Sequence, residues 1–135
     1  MKDLPVGARG RFVLTVAPEH LANRYKDRIL PAVLATPVLI MMMENAALDA
    51  MKPYLDPGEA ALGTRVDIEH VAATPVGRTV VGEAEVTRVD GRRVGFAVRV
   101  LDGNEVVGRG THERVLIDVA RFQERLRARY AKDRE

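Results

Sequence analysis

Glu44 is the residue of this chain whose surroundings are best suited to chemistry. It lies in Pro37-Val-Leu-Ile-Met-Met-Met-Glu44-Asn-Ala-Ala-Leu-Asp-Ala-Met51, the most hydrophobic stretch of the sequence. The run reads as one helix, apolar almost all the way round, and a helix of that profile is expected to be buried. A carboxylate carried into such a place loses hydration, which favours its protonated form unless a partner compensates. Proteins prepare general bases and nucleophiles in this way. The plainer reading is a carboxylate at a rim or paired with an arginine, with no further role. His70 alternates with Val66 and Ile68, a phase that aims it at the face the helix covers. Taken alone, it reads as a histidine satisfied within the core. Thr36 precedes Pro37, and Thr before Pro is a strong helix start, with Thr as the N-cap. The same helix start offers free backbone N–H groups and a positive dipole end, suited to an oxyanion or a carbonyl.

The elements that must hold these residues follow from periodicity and turn chemistry. Arg9–Val16 reads as a first strand, followed by a longer connection through Pro31. The helix of Thr36–Met51 stops because Pro53 cannot continue it. Beyond the turn at Asp56-Pro-Gly-Glu59 the pattern changes to strands: Leu62–Ala73, Thr79–Val89, Arg92–Leu101 and Glu105–Ile117. Asp90-Gly91 and Asp102-Gly-Asn104 are hairpin signals. Gly108 and Gly110 inside the last strand suggest a bulge or a close backbone approach. A final helix is expected from about Asp118 to Lys132, with Val119, Phe122, Leu126 and Tyr130 along one stripe. Strands joined by short turns form an antiparallel sheet, so the fold class is α+β, one apolar helix lying on one sheet face.

Composition bounds the function. A chain of 135 residues and 14.9 kDa is the size of one domain, so residues 1–135 are expected to form one. With no Cys and no Trp, thiol catalysis, disulfides and thiolate metal sites are excluded, and the core is built from Val, Leu, Ile, Ala and Met. No second histidine or carboxylate sits at ligand spacing, so no metal centre is expected. A net charge of +2, with 4% aromatic residues, argues against nucleic acid. The apolar run is too short to span a bilayer, which takes about 20 residues, and the N-terminus lacks a targeting pattern. The expectation is a cytoplasmic protein.

Several segments, in order, resemble the fluoroacetyl-CoA thioesterases within the hot-dog fold, where an antiparallel sheet wraps a central helix. They are Leu34-Ala-Thr36-Pro with Met43-Glu44 following, Met51-Lys-Pro-Tyr-Leu-Asp-Pro-Gly-Glu59, Leu62-Gly63-Thr64, His70-Val-Ala-Ala-Thr-Pro75, and Gly110-Thr-His-Glu-Arg114. The resemblance runs from Met1 to about Arg127. It implies a catalytic set of Thr36, Glu44 and His70 hydrolysing an acyl-CoA thioester, with Gly63 positioning substrate or water and coenzyme A entering only as part of the substrate. The halogen-selective member of that family has a phenylalanine-rich lid before the helix. Here the segment is Asp27-Arg-Ile-Leu30-Pro-Ala-Val33-Leu34, without an aromatic residue. A different acyl group is therefore expected, with Leu30, Val33 and Leu34 shaping its pocket.

Thr36 and Glu44 are eight residues apart, roughly 12 Å of helix rise. One carbonyl could hardly touch both on the same helix. Antiparallel helices of a homodimer, which could itself pair into a higher oligomer, would bring Thr36 of one chain to Glu44 of the other. Arg114 reads either as an anchor for substrate phosphate or as a partner for an acid, and His112 as structural. Met41-Met-Met43 is core filler that can also line an adaptable pocket. The arginines of the last helix, with Lys132 and Arg134, read as a solvated face or as partners for coenzyme A phosphates. Two rival functions stand beside hydrolysis: an enoyl-thioester hydratase, and a catalytically silent module that binds acyl-CoA.

Overall fold

The structure is a computed structural model, described here for residues 1–131. The strands are β1 (Arg9–Thr15), β2 (Glu59–His70), β3 (Thr79–Asp90), β4 (Arg93–Asp102) and β5 (Glu105–Asp118). The helices are α1 (Ala22–Tyr25), α2 (Thr36–Met51) and α3 (Val119–Ala131). All neighbouring strands are antiparallel, in the order β1-β3-β4-β5-β2. This is the hot-dog arrangement, with α2 cradled by the curled sheet.

Both expected hairpins form. Two-residue loops at Gly91-Arg92 and Gly103-Asn104 close β3–β4 and β4–β5, with φ of +60° at each glycine and no other residue type at positive φ. A glycine at positive φ followed by a residue at negative φ is the type II′ pattern that matches strand twist. β2 begins at Glu59 and ends at His70, three residues earlier at each end than the expected Leu62–Ala73.

Three glycines seat α2. A Cβ on Gly10 of β1 would collide with the backbone of Ala46 and Ala50. On Gly82 of β3 it would lie 3.0 Å from the Met42 carbonyl oxygen, and on Gly108 of β5 2.7 Å from the Leu39 side chain. The helix therefore rests almost backbone to backbone on the sheet. Its lower face, Val38, Leu39, Met42, Met43, Ala46, Ala47, Ala50 and Met51, joins Val80, Val86, Val94, Phe96, Val98, Val100 and Val107 in one core.

The other face of α2 corrects the expectation of a wholly buried helix. Thr36, Pro37, Ile40, Met41, Glu44, Asn45 and Leu48 are only half-buried, because the sheet reaches round one side of the helix and not the other. α3 likewise has no buried residue, with Leu126 at 44% and Tyr130 at 50% exposure. The expected end of that helix at Lys132, and the charges of Asp133, Arg134 and Glu135, lie outside the described residues.

Candidate active site

The end of α2 nearest Thr36 carries the first polar cluster. Thr36 is the first helical residue; Ala35 occupies the N-cap position, with no side-chain cap bond. This corrects the reading of Thr36 as the cap. Its hydroxyl, Oγ1, instead lies 2.8 Å from His70 Nδ1. Burial holds the His70 imidazole below its ordinary range, against an opposite pull from the Ala72 carbonyl. A neutral imidazole with Nδ1 unprotonated accepts the Thr36 proton, the pairing by which a hydroxyl is activated or a proton passed on. His70 Nε2 is buried and without a protein partner among the described residues, which leaves it open to a group brought in by a ligand or water.

The second cluster lies two turns along the helix. Glu44 keeps 39% of its side chain exposed, and Arg114 Nη1 stands 3.8 Å from its Oε2. The rim or arginine-pair environment, rather than a fully desolvated one, is therefore what the single chain presents. Arg114 itself is only 7% exposed. Its Nη2 donates to the Ala61 carbonyl at 2.6 Å, and its Nη1 lies 3.1 Å from His112 Nε2. Burial pulls the guanidinium below its usual value while Glu44 pulls it up. Gly63 completes the group: a Cβ there would sit 2.6 Å from Glu44 Oε2 and 3.2 Å from His112 Cε1. Only glycine leaves the space beside that carboxylate open.

One irregularity places both clusters on the same sheet face. Gly63 pairs with Arg114 and Arg65 with Glu113, so Thr64 is an extra residue in β2. Side chains alternate along a strand, and Gly63 and His70 are seven positions apart. Without the bulge they would face opposite ways. With it, Gly63, Val66, Ile68 and His70 oppose Arg114, His112, Gly110 and Gly108, all toward the helix. Val66 is nevertheless 39% exposed, since α2 does not extend over this part of β2.

The remaining predicted residues divide. Leu34 is buried at 1% in the core, its N–H bonded to the Thr74 carbonyl. Leu30 and Val33 are half-buried in the connection ahead of α2. Ile29 beside them is 88% exposed. The structure thus brings Thr36 to His70, and Glu44 to Gly63 and Arg114, as two separate groups. His112, 3% exposed and read from the sequence as structural, lies in the second group beside Arg114 and Gly63. The signal for it lay in the Gly-Thr-His-Glu-Arg spacing, which places His112 and Arg114 on one strand face.

Known proteins share this fold. The family model described as fluoroacetyl-CoA-specific thioesterase matches residues 16–120. A fluoroacetyl-CoA thioesterase of Streptantibioticus cattleyicolor is 44% identical over 133 residues, covering 94% of this chain and 96% of that protein. A solved structure of the fluoroacetyl-CoA thioesterase superposes with a TM-score of 0.87 at 37% identity, covering 94% of this chain and 98% of that one. A thioesterase-superfamily protein of Thermus thermophilus does so at 0.88 with 26% identity, covering 98% and 99%. A sheet curled round one helix is what the solved structures and this chain have in common, and the chain belongs to the fluoroacetyl-CoA-specific thioesterase family as an acyl-CoA thioester hydrolase.

Proposed function

We propose that this enzyme hydrolyses a short-chain or modified acyl-CoA to the free acid and coenzyme A, as a cytoplasmic homodimer whose active sites each draw on both chains. The observation that carries the reading is the division of the polar residues into two groups on one helix. Thr36 bonds His70 at its start, and Glu44 stands beside Gly63 and Arg114 farther along. The two are roughly 12 Å apart by helix rise, too far for one thioester carbonyl. A second copy with its helix antiparallel would supply the missing half.

Two surfaces support that pairing. The upper face of α2 is half-buried and largely apolar. β2 is an edge strand with an unpaired backbone edge, bearing exposed Leu62 and Val66 among its charged residues, and an open edge can pair with another chain.

In the assembled site the thioester carbonyl lies near Thr36 and the helix start, where the dipole favours a developing oxyanion. Glu44 of the other chain either takes a proton from water or attacks the carbonyl itself. The coenzyme A thiolate leaves in both routes, with His70 able to hold or pass a proton. Gly63 leaves room beside Glu44, while Leu30 and Val33 border the acyl group, with Leu34 behind them in the core. The segment Asp27–Leu34 has no aromatic ring, which favours an acyl group other than fluoroacetyl. No cofactor is required beyond the coenzyme A of the substrate.

The test is free-thiol release from a panel of acyl-CoAs, from acetyl and haloacetyl through medium-chain and aryl, for wild type and Glu44→Gln. Release by wild type, with a loss of about 10²-fold or more in the variant, is the expected result. Equal release by both proteins would sink the assignment of Glu44. Thermal stabilisation by acyl-CoA with no release would make the chain a binding module.

A further inference from the structure

We propose that His112 is a positioning residue for hydrolysis, locked as its Nδ1–H tautomer so that it aims Arg114 at Glu44. This rests on the reading of Glu44 as base or nucleophile. His112 Nδ1 lies 2.8 Å from the Arg65 carbonyl oxygen. A carbonyl only accepts, so Nδ1 carries the proton. In the neutral ring Nε2 is then bare, and it is the atom 3.1 Å from Arg114 Nη1. Arginine only donates, so the two bonds are satisfied together by one protonation state and one tautomer.

The ring cannot turn away from this role. Phe96 of β4 stacks on it, with centroids 5.9 Å apart and planes 27° from parallel. Gly63 of β2 lies against its Cε1 edge. The charged groups facing it are Arg114 on β5 and Glu44 on α2. Burial holds the imidazole below its ordinary range, and the Arg114 charge adds to that, against the pulls of the Arg65 carbonyl and Glu44. The guanidinium is in turn fixed at Ala61 by the 2.6 Å bond from Nη2. What remains of Nη1 is directed at Glu44, 3.5 Å from its carbonyl oxygen and 3.8 Å from Oε2. A protonated or rotated His112 would place a donor against Arg114 and release the guanidinium from this setting.

The test is a double-variant cycle in the full chain. His112→Phe keeps the ring stacked on Phe96 and removes both hydrogen bonds, whereas His112→Gln returns an amide oxygen toward Arg114. The expected result is a fall in kcat on the order of tenfold to 100-fold for His112→Phe, with KM changed by less than about threefold. His112→Gln recovers part of the loss. In the Glu44→Gln background, on the residual turnover, His112→Phe lowers kcat no further, because residues acting through one another are not additive. Wild-type kcat in His112→Phe, or the same fractional loss in both backgrounds, would overturn the proposal while leaving Glu44 in place. Full turnover by Glu44→Gln alone would instead remove the base assignment, and with it the route by which His112 acts. The imidazole ¹⁵N spectrum of the wild-type protein reads the tautomer without any variant having to fold. A protonated Nδ1 with bare Nε2 is expected, and the opposite assignment refutes the lock.

Discussion

In the proposed mechanism His70 works only while neutral, because an imidazolium cannot accept the Thr36 proton. Burial sets its titration below the ordinary imidazole value of about 6.5. The pH profile of kcat/KM is therefore expected to hold a plateau through neutrality and fall on an acid limb with its midpoint below that value. A midpoint above 7 would contradict the environment described here. Stability moves in the same direction. His70 and His112 both take up protons less readily in the folded chain than in the unfolded one. Below about 6.5 the unfolded state binds more protons, so the slope of stability with pH is positive there. The contribution is complete above that value and is lost as pH falls through the depressed folded values. Melting temperatures from pH 7.5 down to 5 should decline, and should decline less in His112→Gln, which removes one of the two groups.

Among elements, the strands and helices were legible in the sequence because Gly-containing hairpins, Thr36-Pro37 and Pro53 punctuate it clearly. Glu44 stood out for an equally local reason, a charge within an apolar run. What could not be read was the placement that only long-range pairing decides. The Thr36 hydroxyl looks like a cap until His70, thirty-four positions later, offers it a better partner. The bulge at Thr64 arises from the register between β2 and β5, which no local periodicity encodes. Its importance can be tested by deleting Thr64. Gly63 and His70 are then six positions apart and alternate onto one face without a bulge, so protein that folds is expected to keep substantial turnover. Thr64→Ala removes only the 3.2 Å hydroxyl bond to the Glu113 carbonyl and should retain nearly full activity. Background turnover in a folded deletion variant would show that the bulge does more than keep the two groups on one face.

At the scale of the whole molecule, the proposed exchange of half-sites has an arithmetic signature. In a dimer, His70→Ala and Glu44→Gln each inactivate both sites. In a mixed dimer, one site receives both defects and the other receives neither. Unfolding and refolding the two inactive variants together in equal amounts should give half mixed dimers, and so about a quarter of wild-type turnover. If each site were built within one chain, every mixture would stay inactive. Light scattering at the assay concentration should report two copies, and full activity from a monomer would refute the shared site.

The glycine seat beneath α2 has a consequence for how this enzyme can change. Gly10 and Gly82 let the helix bear on the sheet with little or no side-chain layer between them, and Gly108 takes the Leu39 side chain. The height and slide of the helix are thus set by main-chain atoms, which substitution cannot resize. Ile40 on its upper face is half-buried and stands apart from that seat, while Met41 and Leu48 still pack on the core. Changes at Ile40 can therefore reshape what the helix meets above it, while the carboxylate two turns from the helix start keeps its address.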